Sequence, residues 1–177
     1  MDRGIIAVWY DLPAAAKQEF LDWLHREHLP ALLQRPGYLW VASVENIDSP
    51  EREAHSARRL THTDDPSVPA GFRYLTLLGA ADPHALVDPS PSEIESQMSA
   101  EGRRMLALRE GVREVVFVEV SRVEGPDSKS RGPGITPGPV IQFGTFNINA
   151  VENETEMNTW YSRSRFPSCC FTVRLPR

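Results

Sequence analysis

The sequence predicts an α+β fold: one complete β-α-β-β-α-β unit followed by a partial β-α copy. Three observations lead there. Short runs rich in β-branched and aromatic residues alternate with segments whose apolar residues recur at helical spacing. A stretch rich in Gly, Pro and Ser, GPDSKSRGPGITPG (125–138), divides the chain. Beyond it, the residue pattern of the first helix returns at a fixed offset.

Taken in order, GIIAVWY (4–10) is an apolar, β-branched and aromatic run closed by Asp11-Leu12-Pro13, the mark of a largely buried strand. From Ala14 the spacing becomes helical, with Phe20, Trp23 and Leu24 on one side and Lys17, Asp22 and Arg26 on the other. Pro36-Gly37 ends that helix, and YLWVASVENI (38–47) reads as a second strand. The polar stretch from Asp48 to Pro69, with His55, His62 and the Arg58-Arg59 pair, reads as a long surface loop. GFRYLTLLGA (71–80) is the third strand. A second helix is expected from about Ser92 to Gly111, opened by Pro91 and carrying Ile94, Met98, Met105 and Leu108 on its core side. REVVFVEVSRV (113–123) is the fourth strand.

This order is the split βαβ or ferredoxin-like arrangement, with residues 1–124 as one unit and both helices on one face of an antiparallel sheet. A bare apolar sheet face is unfavourable, so the other face calls for a second sheet from a partner chain or a tandem copy. A tandem copy is legible after the linker. An offset of 137 carries Glu19 to Glu156, Trp23 to Trp160, Arg26 to Arg163 and Pro30 to Pro167, with Trp9 falling on Phe146 and Phe20 on Met157. Residues 139–177 are thus expected to form a partial second repeat. Two readings stand: a truncated copy, or a natural β-α tail that packs on the first unit.

Bulk properties exclude several roles. In 177 residues, 41% hydrophobic and 24% charged, composition is that of an ordinary globular chain. The net charge of -5 and the lack of a basic tract remove the electrostatic basis for a nucleic-acid partner. No run of about 18 apolar residues and no signal-peptide pattern occurs, so neither a membrane span nor export is expected and a cytoplasmic location is. The only cysteines, Cys169 and Cys170, are adjacent and fit neither a disulfide framework nor zinc spacing. No G-x-G-x-x-G, P-loop or H-E-x-x-H pattern is present, so no cofactor and no metal are expected.

The residues that invite chemistry lie in WLHREHLPALLQRPGYL (23–39). On a regular helical wheel Glu27 and His28 border the apolar stripe, whereas His25 lies further round. Pro30 removes the hydrogen bond its N–H would have made to the Arg26 carbonyl. His28 then reads either as a general acid or base with Glu27 as a neighbouring charge, or as a helix-terminal histidine satisfying a freed carbonyl. A metal site at His25 and His28 lacks a third ligand at any legible spacing. In the fourth strand, alternation sets Val115, Phe117 and Glu119 opposite Val116, Val118 and Val120. The all-valine face suits the helices. Phe117 and Glu119, with Trp9 and one face of the third strand, either Phe72, Tyr74 and Thr76 or Arg73 and Leu75, are then candidate lining for a cavity facing the opposing sheet, fit for a small aromatic ligand. The same residues would equally make an ordinary sheet interface.

WLHREHLPALLQRPGYL, preceded by VWYDLP and EFLDW, resembles the first-helix pattern of the EthD-like branch of the dimeric α+β barrel superfamily. The resemblance spans residues 4–123 and restarts at 139. It implies two ferredoxin-like units paired sheet to sheet, hence a homodimer through the sheet face, and His28 is the residue matching the family's His-Leu-Pro histidine. The branch is associated with degradation of organic compounds, which implies a small hydrophobic or aromatic ligand and acid/base or oxidative chemistry without a cofactor. A non-catalytic accessory protein, or a degenerate product of a truncated tandem barrel, remains the alternative. In the second unit Ser162, Ser164 and Arg165 stand where the first has His25, Glu27 and His28, so only the first unit is expected to carry a site.

Overall fold

The computed structural model describes residues 2–46, 73–123, 137–138, 141, 143 and 151–165. The predicted loop with His55 and His62, the linker up to residue 136 and the vicinal cysteines lie outside the described residues.

The apolar runs form the four strands β1 (Gly4–Asp11), β2 (Tyr38–Glu45), β3 (Tyr74–Ala80) and β4 (Glu110–Val118). They make one antiparallel sheet in the order β2-β3-β1-β4, which is the ferredoxin-like topology. The two central strands carry the most continuous apolar sequence, and every residue of β3 is buried. Gly37, with φ of +86°, sits in the turn that leads into β2, a backbone position that L side chains rarely adopt.

Helices cover one face. The first begins as α1 (Lys17–Trp23), widens into a π-helical segment (Leu24–His28) and resumes as α2 (Leu29–Leu33). Pro30 accounts for the widening. Its missing N–H and its ring disfavour regular α geometry against the Arg26 carbonyl, and the Leu29 N–H reaches back five residues to the Leu24 carbonyl. The second predicted helix is two short ones, α3 (Pro91–Ser96) and α4 (Ala100–Leu106). Serine chemistry divides them. Ser90 and Glu93 form a reciprocal capping box on α3, and the Ser99 hydroxyl accepts the Gly102 N–H at 3.0 Å to start α4.

The expected helix end at Gly111 is corrected: α4 stops at Leu106, and Gly111 lies in β4 with φ of +60°, beside the register shift opposite Trp9–Asp11. A glycine at positive φ beside one extra residue is bulge chemistry, so the strand starts earlier than alternation alone indicated. β4 also ends at Val118 rather than running to Val123.

Tyr10, Phe20, Leu24, Leu86 and Met105 are each less than 2% exposed and form the centre of the core between sheet and helices. Truncating one of the aliphatic members to Ala costs about 2–5 kcal/mol. On the opposite face Ala7, Trp9, Trp40, Leu75 and Leu77 form a second buried cluster, with Val115, Phe117 and Ile141 packed against it. Trp40 lies flat over Gly79, where an added Cβ would come within 2.1–2.6 Å of the indole. Its indole N–H donates to Asp2 Oδ2 at 3.1 Å.

Beyond the linker the chain forms a helix, α5 (Glu154–Trp160), continued by a second π-helical segment, Tyr161–Arg165.

Candidate functional site

The π-helical segment decides where His28 goes. In a regular helix, residues five apart point about 140° away from each other, whereas the wider turn brings His28 back under Trp23. Their rings stack at 4.7 Å with an interplanar angle of 19°. His28 thereby lines a small cleft, its mouth open to solvent, between the helices and the sheet.

The floor of the cleft is the sheet, through Ile6, Val8 and Thr76, and its walls are α1, α3 and α4. Most of the lining is apolar. The polar groups are few: Tyr10 and Thr76, whose hydroxyls lie 3.1 Å apart, Tyr38, His28, Arg109, Glu95 and Glu114. Burial, with the Arg109 charge adding to it, lowers the His28 imidazole from 6.5 to about 4. The ring is therefore neutral at physiological pH. Burial also raises the Glu114 carboxyl above its ordinary value and the Tyr10 phenol above its own.

Arg109 sits where α4 hands over to β4. Its Nε donates to the Leu106 carbonyl at 3.0 Å and its guanidinium lies 5.9 Å from the centre of the Tyr10 ring. Removal from water disfavours its charge, and Glu95, Tyr10 and Glu114 favour it.

The sequence-predicted residues divide between three places. His28 is in the cleft wall. Glu27, its neighbour, is exposed. Tyr74 is on the helix-covered face but outside the cleft lining, stacked on Tyr10 at 5.8 Å with Lys17 Nζ 5.6 Å from its ring centre. Trp9 and Phe117 are on the other face of the sheet, edge to face at 6.3 Å. Glu119 follows the end of β4 and pairs with Arg122, which also holds Asp2. The cleft is thus on the side of the sheet opposite to the cavity expected from strand alternation. Among the described residues no group of three His, Cys, Asp or Glu is placed to hold a metal ion, and no helix is long and apolar enough to cross a membrane.

Sequence reasoning missed Arg109, Glu95 and Glu114. Glu114 had a legible signal, since it shares strand parity with Val116, which packs against the helix-side core. Arg109 had none, because its place depends on where α4 ends.

No protein-family model matches the chain, and no curated protein does. Solved structures do resemble it. One is the heme-degrader MhuD from Mycobacterium tuberculosis with two hemes bound in its active site, 16% identical over 68% of this chain and 99% of that one, TM-score 0.42. Another is a dimeric ferredoxin-like protein from an uncultured marine organism, 10% identical over 70% and 93%, TM-score 0.47. A third is an ethyl tert-butyl ether D (EthD) family protein from Bacillus halodurans, 16% identical over 68% and 100%, TM-score 0.35.

Proposed function

We propose that the cleft between helices and sheet binds a small organic molecule of apolar, aromatic character, and that His28 acts there as a neutral base in proton transfer without a cofactor. The observation that carries this reading is a desolvated imidazole, neutral near pH 7, held in the wall of an apolar cleft by a π-helical distortion. Such distortions are concentrated at functional sites because they cost regular hydrogen bonding. A neutral imidazole is available to accept a proton, but with a pKa of about 4 it is a weak base, so transfer from an acidic C–H or O–H depends on Arg109 placing positive charge at the oxygen that gains electron density.

A non-catalytic accessory role is the second reading. It is favoured by one specific fact: Glu27 faces solvent, and among the described residues no carboxylate hydrogen-bonds the His28 ring to orient it.

One experiment separates the two. Small aryl ketones with an exchangeable C–H beside the carbonyl are incubated with the protein in deuterated buffer and followed by NMR, with binding read by thermal shift. Catalysis predicts exchange that His28→Ala abolishes while binding persists. Binding without exchange in the wild type selects the accessory role. Ile94→Trp, at the half-buried rim of the cleft, should abolish both signals, and failure of every ketone to bind the wild type sinks the reading.

A further inference from the structure

The centre of the second face of the sheet is withdrawn from water within a single chain. Trp9 is 7% exposed, Trp40 4% and Leu77 3%, although all belong to the cluster that points away from the helices. On a four-stranded sheet with nothing above it, side chains at the centre of that face remain open to water. Residues from beyond the linker stand over them. The Phe143 ring meets Trp9 edge to face at 5.2 Å and Phe117 at 5.6 Å, and Ile141 packs against the same cluster.

The helix that follows also leans on the first unit. Ser162 Oγ donates to Ser121 Oγ at 3.0 Å, just past β4. That helix reproduces the first one in register: an offset of 137 carries α1 (Lys17–Trp23) onto α5 (Glu154–Trp160), and the π-helical segment Leu24–His28 onto Tyr161–Arg165. In both cases a proline, Pro30 or Pro167, follows two residues after the π-helical segment.

We propose that the second face of the sheet is the docking surface for this chain's own post-linker segment, anchored by Phe143, which takes in the same chain the place a second copy would take. The linker permits it. Its 14 residues (125–138) span up to about 45 Å when extended, against roughly 15–20 Å across four strands. Tethering also decides the competition, since a short flexible linker holds its segment at an effective concentration of about millimolar, well above that of a free second copy in dilute solution. The proposal is independent of any role for His28.

The test uses the full-length chain. Light scattering over a wide dilution series gives the mass, and hydroxyl-radical footprinting read by mass spectrometry gives the oxidation rate of each tryptophan, with Trp160, 51% exposed, as the open reference. The expected result is a monomer at every dilution with Trp9 oxidised severalfold more slowly than Trp160. Phe143→Ser should raise the Trp9 rate severalfold and leave Trp23, on the helix side, unchanged. A dimer whose Trp9 protection fades on dilution would overturn the proposal in favour of a second copy. Trp9 oxidised as fast as Trp160 at all dilutions would overturn it because nothing covers the face. If Phe143→Ser raises Trp23 as well, that variant is unfolded, and the wild-type dilution series alone decides.

Discussion

His28 stacks on Trp23, five residues before it, at 4.7 Å. Residues five apart share a face only where a helix widens, so this contact exists because Pro30 follows the π-helical segment. One proline thereby turns a histidine that a regular helix would leave beside the core into a wall of the cleft. The same contact withdraws the imidazole from water, which is what keeps it neutral.

The first prediction concerns pH. His28 is lowered to about 4 in the folded chain against about 6.5 when unfolded. Between those values the unfolded state binds the extra proton, so stability rises with pH across the window. The contribution is present above about pH 6.5 and is lost as pH falls towards 4. Its size is about 1–3 kcal/mol, the upper figure being the full shift without solvent screening. Carboxylates titrate in part of the same range, so the measurement is a difference: urea melts of wild type and His28→Phe from pH 4 to 7. Phe keeps the stacking and loses the titration, and its stability should fall less steeply with acid. Parallel curves would refute the assignment.

Pro30→Ala should return the helix towards α geometry, because the substitution restores an N–H for the Arg26 carbonyl and removes the ring clash. Global stability should change by only about 1 kcal/mol, since Pro30 lies in the first turn of α2, where its cost is small. The informative readout is an NMR titration of His28, whose pKa should climb towards 6.5 as the ring swings away from Trp23. An unchanged titration would mean that something other than the proline fixes the π-helical turn.

Which parts were legible in the sequence follows from what each depended on. The strands and their order were legible because β-branched runs punctuated by Pro-Gly and turn residues report local preference directly, as in GIIAVWY and YLTLLGA. The position of His28 was legible only in part: a wheel of constant step brought it to the edge of the apolar stripe but could not place it on Trp23. Arg109 and Gly111 were misread together. Helical spacing through Leu108 gave no sign that α4 would end at Leu106 and that Gly111 would serve a bulge. Trp9, Phe117 and Tyr74 were grouped as the lining of one cavity, yet Tyr74 packs on the helix side and the cleft formed there, because its walls come from α3 and α4 meeting the sheet.

Gly79→Ala should destabilise the fold by about 1–3 kcal/mol through overpacking. The new methyl group would lie within 2.1–2.6 Å of the Trp40 indole, which must move and would give up its bond to Asp2. Equilibrium urea unfolding gives the magnitude. A double-mutant cycle with Trp40→Leu checks the cause, because removing the indole should relieve most of the penalty. A cost that persists without the indole would place it in backbone entropy or register instead.

Arg113 offers the opposite sign. Its Nη1 is buried with no hydrogen-bond partner among the described residues, although the guanidinium lies 5.5 Å from the centre of the Trp9 ring. A buried donor left unpaired costs about 1–3 kcal/mol, while a cation over an indole returns about 0.5–2. Arg113→Met keeps most of the aliphatic packing, removes the unmet donor and gives up the cation. The balance runs from about 1 kcal/mol less stable to about 2.5 kcal/mol more stable and centres on a small gain, whereas truncating a well-paired buried arginine costs about 3–5 kcal/mol. Chemical denaturation at two salt concentrations measures it, with the change in stability expected to be insensitive to salt because the site is screened from solvent. A loss of several kcal/mol would mean that the guanidinium is anchored by an acceptor, and that this edge of the sheet is closed by a polar contact rather than by aromatic packing alone.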